Sequence, residues 1–100
     1  MEWTEPAFLD LEDIRDYIKR DSEYYAMRFI ERIIGSVEDL EKFPKMGRMV
    51  PEAKERNIRE ILFQNYRIMY RIEKERILIL AVIHKARDST RKRHKLWKVI

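Results

Sequence analysis

The chain contains no cysteine. Disulfide bridges and thiolate metal sites are therefore excluded, and with them the small disulfide-stapled scaffolds. Only two glycines and three prolines occur in 100 residues. That scarcity excludes a glycine-rich phosphate loop, a collagen-like repeat and long flexible linkers. Long hydrophobic runs are missing as well. The longest, Ile77 to Ile83, has seven residues, where a membrane-spanning helix takes about 20. The opening Met1-Glu2-Trp3-Thr4 lacks the basic-then-apolar order of a secretory signal. These features predict a soluble, cytoplasmic protein with no membrane association. The two histidines, His84 and His94, make a poor metal site without thiolates or paired acids, so neither a metal nor a cofactor is expected.

What the chain does have is 45% hydrophobic and 40% charged residues. That balance predicts one compact domain over residues 1–100 with short loops. A domain of this length can bury enough apolar surface to fold alone, with little to spare. The charge is unevenly placed. Residues 1–43 hold 12 acidic side chains against 6 basic ones, whereas residues 84–100 hold 1 against 7. An acidic front and a basic rear favour an anionic partner near the C-terminal part: nucleic acid, an acidic peptide or an anionic surface.

The periodicity gives an order of elements. Trp3-Thr4 reads as a short edge strand. Thr4 then suits a helix cap, with Glu5 and Pro6 in the first turn. Ala7, Leu11, Ile14 and Ile18 recur at three- and four-residue spacings, the stripe of an amphipathic helix with Asp10, Glu12, Asp13 and Asp16 on its polar side. Asp21-Ser22 caps a second helix whose stripe is Tyr25, Phe29, Ile33, Val37 and Leu40, ending before Pro44. Gly35 inside that stripe is expected to serve close packing. Residues 44–57 show no period and read as a loop. Three strands follow: Ile58 to Phe63, Tyr66 to Ile72, and Arg76 to Ile83. The last is apolar throughout, as expected for a strand covered on both faces. In the second, Arg67 and Arg71 alternate with apolar residues and point away from them. The predicted fold is α+β: an N-terminal helical hairpin packed on a small twisted antiparallel sheet, in the order β-α-α-β-β-β, with a basic tail over residues 88–100.

Nucleophile chemistry finds little support, because the three serines have no His-plus-acid arrangement nearby in sequence. The cations offer more. Arg48, Arg59, Arg67, His84 and Arg87 sit at or beside the strands. Arginine suits bidentate phosphate binding and the stabilisation of developing charge, and histidine can pass protons near neutral pH. The same residues also fit plainer roles. Arg67 and Arg71 match the solvated face of a strand, and His84 matches a hydrogen-bonded histidine at a strand end. The Tyr17, Tyr24, Tyr25 and Phe29 group fits helix packing better than base stacking. The run Arg91-Lys92-Arg93 fits a solvated tail as well as a nonspecific nucleic-acid contact.

Taken in order, several stretches resemble the RelE/ParE toxin superfamily: Trp3-Thr4, Leu11-Glu12-Asp13-Ile14-Arg15-Asp16-Tyr17-Ile18, and the Ala26…Phe29-Ile30 spacing. To these are added Leu40…Phe43-Pro44…Gly47-Arg48…Pro51-Glu52, Ile58-Arg59-Glu60, Tyr66-Arg67-Ile68-Met69-Tyr70-Arg71-Ile72 and His84-Lys85-Ala86-Arg87-Asp88. The resemblance covers nearly the whole chain. It implies the toxin of a type II toxin–antitoxin pair, forming a hetero-oligomer with a cognate antitoxin protein. Its leading implication is RelE-like: growth inhibition by ribosome-dependent mRNA cleavage without metal, with the ParE-like activity as the alternative. Arg67, His84 and Arg87 would then be catalytic, and Arg48, Arg59, Arg91, Lys92 and Arg93 would bind RNA. For ParE-like members it implies a DNA gyrase inhibitor without nuclease chemistry. A remnant that only binds antitoxin is a third outcome. RelE-type nucleases often carry a tyrosine near the C-terminus; this chain has Trp97 there and no tyrosine after Tyr70.

Overall fold

A computed structural model describes residues 1–86. Arg87, Arg91, Lys92, Arg93 and the expected basic tail lie outside the described residues. The chain begins with strand β1 (Glu2–Trp3), then helices α1 (Glu5–Lys19) and α2 (Glu23–Ser36). Thr4 caps α1 as its position required, its Oγ1 accepting a hydrogen bond from the Ala7 amide at 3.3 Å. The same hydroxyl donates to the Ile79 carbonyl at 2.9 Å, so the start of α1 is tied to the sheet. Ser22 caps α2 by accepting from the Tyr25 amide at 3.0 Å.

Helix α2 stops earlier than its stripe predicts. The Ser36 hydroxyl donates to the Ile33 carbonyl at 2.6 Å and competes with the helical ladder at that carbonyl. The chain then tightens into a 3-10 turn, Glu38–Glu41, that still buries Leu40. A second 3-10 turn, Pro44–Met46, leads to strand β2 (Arg48–Met49). Residues 44–57 are therefore not wholly loop, as their lack of periodicity had suggested. A two-residue edge strand is too short to leave an alternating pattern.

The meander follows the expected course: β3 (Ile58–Phe63), β4 (Tyr66–Ile72) and β5 (Ile77–His84). The sheet order is β1-β5-β4-β3-β2, and β1 runs parallel to β5. The α+β class holds, but the sheet is mixed and five-stranded, not purely antiparallel. Strand alternation divides the apolar residues into two layers. Ile68, Tyr70, Ile77, Ile79 and Val82 pack with Leu11, Ile14, Phe29 and Ile33 of the helices. Ile58, Met69, Leu78, Leu80, Ala81 and Ile83 form the other layer, against which Val50 and Ala53 of the β2–β3 connection pack.

Two residues differ from their expected roles. Asp10, placed on the polar side of α1 by the helical period, is buried, and its carboxylate accepts from the Val82 amide at 2.9 Å. The reason lies in β1, which pairs only with Leu78 and Ile79. Beyond it the Val82 amide needs an acceptor from elsewhere. Gly35 makes no close contact: a Cβ there would meet nothing within 4 Å. Close packing falls instead on Gly47, where a Cβ would lie 2.6 Å from the Glu60 carbonyl oxygen. Among the described residues no helix is long and apolar enough to cross a membrane.

Candidate functional site

Glu60 organises the cationic residues. It lies in the middle of β3 with its side chain fully buried. A lone carboxylate there would be costly, and it is stabilised only by partners on both oxygens. Arg67 Nε donates to Oε1 at 2.6 Å and Arg48 Nε donates to Oε2 at 2.6 Å. The register explains why they meet. Arg48 on β2 sits opposite Glu60, and Arg67 on β4 sits opposite Leu62, two residues along the same face.

The two guanidinium groups differ in what their outer edges meet. Arg67 donates from Nη1 and Nη2 to the two oxygens of Glu52, each at 2.9 Å, in the parallel fork that arginine and carboxylate share. Its side chain is 14% exposed, against 59% for Arg48. The bond to Glu52, and after it the charge and hydrogen bond of Glu60, raise the Arg67 pKa despite burial, so its charge is permanent. Arg67 was expected on an open sheet face, ready for a partner. It is instead enclosed in a Glu52–Arg67–Glu60–Arg48 chain.

The remaining candidates are dispersed. His84 pairs with Tyr66 across the β4–β5 ladder, and its ring meets the Tyr66 ring edge-on at 5.2 Å. Tyr66 in turn packs on Phe29 of α2, which puts His84 on the helix-covered face. Arg67 pairs with Ile83, so its side chain projects from the opposite face. Arg67 and His84 are neighbours in the ladder yet do not meet. The His84 Nδ1 accepts from the Ala86 amide at 3.0 Å, the strand-end role that its position also fitted. Arg59 faces away from Glu60, as strand alternation required. It donates to the Gly47 carbonyl at 2.9 Å and to the Arg56 carbonyl at 3.2 Å, bracing the turn that carries Arg48. Arg87, Arg91, Lys92 and Arg93 are outside the described residues.

Aromatic residues divide similarly. Phe29 is buried against Phe63 and Tyr66, while Tyr17 and Tyr24 are exposed beneath Arg20 and Arg28, contrary to the packing expected of the whole group. Tyr70 is fully buried beside the site. Its hydroxyl donates to the Pro44 carbonyl at 2.6 Å and accepts from the Gly47 amide at 3.0 Å. Burial pushes its pKa up.

Glu52, Glu60 and Tyr70 are the site residues that sequence reasoning passed over. Glu60 left a signal: it shares a strand face with Ile58 and Leu62, where an acid among apolar residues marks a buried carboxylate needing cations. Glu52 left none, because nothing in an aperiodic segment says which strand it reaches.

This geometry fixes one arginine internally and leaves a second whose outer edge has no hydrogen-bond partner among the described residues. Among the described residues it brings no histidine onto the sheet face that carries these two arginines. A family model described as "ParE toxin of type II toxin-antitoxin system, parDE" matches residues 1–89. The chain belongs to the ParE toxin family. A search of curated proteins finds no match. Among solved structures, this ParE-family chain is similar to one from the "Chromosomal ParDE TA system from P. aeruginosa". The TM-score is 0.70 at 22% identity, covering 83% of this chain and 91% of that one. That likeness is one of fold. The ParE family lies within the RelE/ParE superfamily that the sequence resembled.

Proposed function

We propose that this chain is a growth-inhibiting toxin that acts by binding DNA gyrase, without nuclease chemistry of its own, and is neutralised by a cognate antitoxin. The observation that carries the choice is the β4–β5 register. It places Arg67 and His84 on opposite faces of the sheet, while Glu52 fills the Arg67 fork. Ribosome-dependent mRNA cleavage needs a cation and a proton carrier on the same phosphate, and these two do not supply it together. Membership of the ParE family supports the same reading, since gyrase inhibition is what the resemblance implies for ParE-like members. An antitoxin partner is supported by the family's description as half of a toxin–antitoxin system.

The test runs the purified chain in two assays side by side. Inhibition of gyrase supercoiling, with intact message in a translation reaction read by primer extension, is the expected result. Codon-specific cleavage that disappears in Arg67→Ala or His84→Ala would reject the proposal and restore the nuclease reading. Failure to inhibit gyrase at molar excess, with no cleavage, would leave the chain as an antitoxin-binding remnant.

A further inference from the structure

Glu60 shares its two oxygens between two arginines in the same way. Each donates through Nε, so each turns its Nη1/Nη2 edge outward. On Arg67 that edge holds Glu52 in a bidentate pair. On Arg48, whose side chain is 59% exposed, the same edge meets no partner among the described residues. We propose that the open edge of Arg48 is a bidentate carboxylate-binding position, made for an acidic side chain on an amphipathic segment of the antitoxin. This rests on the toxin–antitoxin reading and names the residue through which the partner is held.

Three observations support a carboxylate on a protein segment. First, Arg48 is fixed in advance. Its Nε is held at 2.6 Å by a buried carboxylate, and β2 is paired with β3, so little side-chain freedom remains to be lost on binding. Second, the filled half of the arrangement shows what such an edge takes: Glu52, a carboxylate on a chain segment lying over this face, with the adjacent Ala53 packed on the apolar layer. Third, the surroundings suit an acidic group flanked by apolar ones. Leu62, on the same face as Glu60, and Met46, just before Arg48, are exposed. A nucleic-acid backbone fits less well. It needs a track of several cations with open edges, and here the outer edge of the neighbouring Arg67 is already taken by Glu52.

The test uses the full chain and a blocked synthetic peptide, acetyl-Gly-Leu-Glu-Glu-Leu-Gly-amide, with a short single-stranded RNA as the competing ligand. Calorimetric titration reads the affinities of wild type, Arg48→Gln, Arg48→Lys and Leu62→Ser. Arg48→Gln is expected to weaken peptide binding about tenfold or more. Replacing both peptide glutamates by glutamine should cost a similar factor, and the two changes together no more than either alone, the sign of one shared contact. Arg48→Lys should recover little, because an ammonium cannot form the parallel fork. Leu62→Ser should weaken the peptide without touching the Arg48–Glu60 bond, and a cooperative thermal transition well above the titration temperature shows that each variant is folded. Unaltered peptide affinity in Arg48→Gln, no peptide binding to wild type at millimolar concentration, or tighter Arg48-dependent binding of the RNA would each overturn the proposal. Growth arrest on expression is read separately and tests the toxin reading, so the two failures are distinguishable.

Discussion

Replacing Gly47 by alanine puts a methyl group where there is no room. The added Cβ would lie 2.6 Å from the Glu60 carbonyl oxygen, 2.6 Å from the Tyr70 hydroxyl and 2.8 Å from Tyr70 Cε1. Neither neighbour can yield easily. The carbonyl belongs to the middle of β3, paired on both sides, and Tyr70 is fully buried with its hydroxyl bonded to Pro44 and Gly47. Overpacking alone costs about 1–3 kcal/mol. Moving the ring also strains or breaks two hydrogen bonds, each contributing about 1 kcal/mol net and more when a buried partner is orphaned. The expected loss is therefore roughly 2–5 kcal/mol, a large share of the about 5–15 kcal/mol that stabilises a typical domain. At about 4–8 °C per kcal/mol for a domain near this size, the midpoint should fall by at least about 8 °C. Gly35→Ala gives the opposite sign. Open space surrounds that position, so alanine should add up to about 1 kcal/mol through helix propensity. Thermal unfolding followed by circular dichroism measures both. A Gly47→Ala midpoint within a degree or two of wild type would refute the reasoning, as would equal effects of the two substitutions.

Asp10→Ala should destabilise by about 1–3 kcal/mol, because the Val82 amide is left buried without its acceptor; urea unfolding measures it, and a loss below about 0.5 kcal/mol would contradict the assigned role. Glu60→Ala should cost about 3–5 kcal/mol by leaving two arginines without the carboxylate that holds them, and Arg48→Gln, which leaves the buried Oε2 of Glu60 without its charged partner, about 1–3 kcal/mol. Tyr70 predicts an alkaline limit to stability. Its folded pKa lies above the ordinary tyrosine value, so its contribution is complete below that ordinary value and is lost as pH rises through the folded one. Tyr70→Phe should flatten that alkaline decline in unfolding midpoint, and a decline of unchanged steepness would count against it.

The helical stripes and the β3–β4–β5 meander were legible because their periods are long enough to declare themselves. Ala7 to Ile18 and Tyr66 to Ile72 each repeat through several turns or alternations. β2 and the 3-10 turns were not, since two or three residues carry no period. Asp10 was misread for another reason: the helical wheel reports which way a side chain points, not whether a strand edge waits there with an unpaired amide. The geometry around the candidate residues was hard to read for a related reason. Alternation correctly put Arg67 and Arg59 on opposite faces from their neighbours. It also implied that Arg67 and His84 project to opposite faces, once the ladder register pairs Tyr66 with His84. That register depends on turn geometry and on the bulge opposite Met69 and Tyr70, which sequence alone does not fix. The internal partners of Arg67 come from β3 and from a connection whose path no local pattern reveals.

Gyrase supercoiling in the presence of the purified chain, compared between wild type and the Arg67→Ala variant, is the most direct measurement. A binding toxin whose Arg67 is occupied from within predicts dose-dependent inhibition by wild type, retained by any Arg67→Ala protein that remains folded. Unimpeded supercoiling, alongside message cleavage that requires both Arg67 and His84, would contradict it.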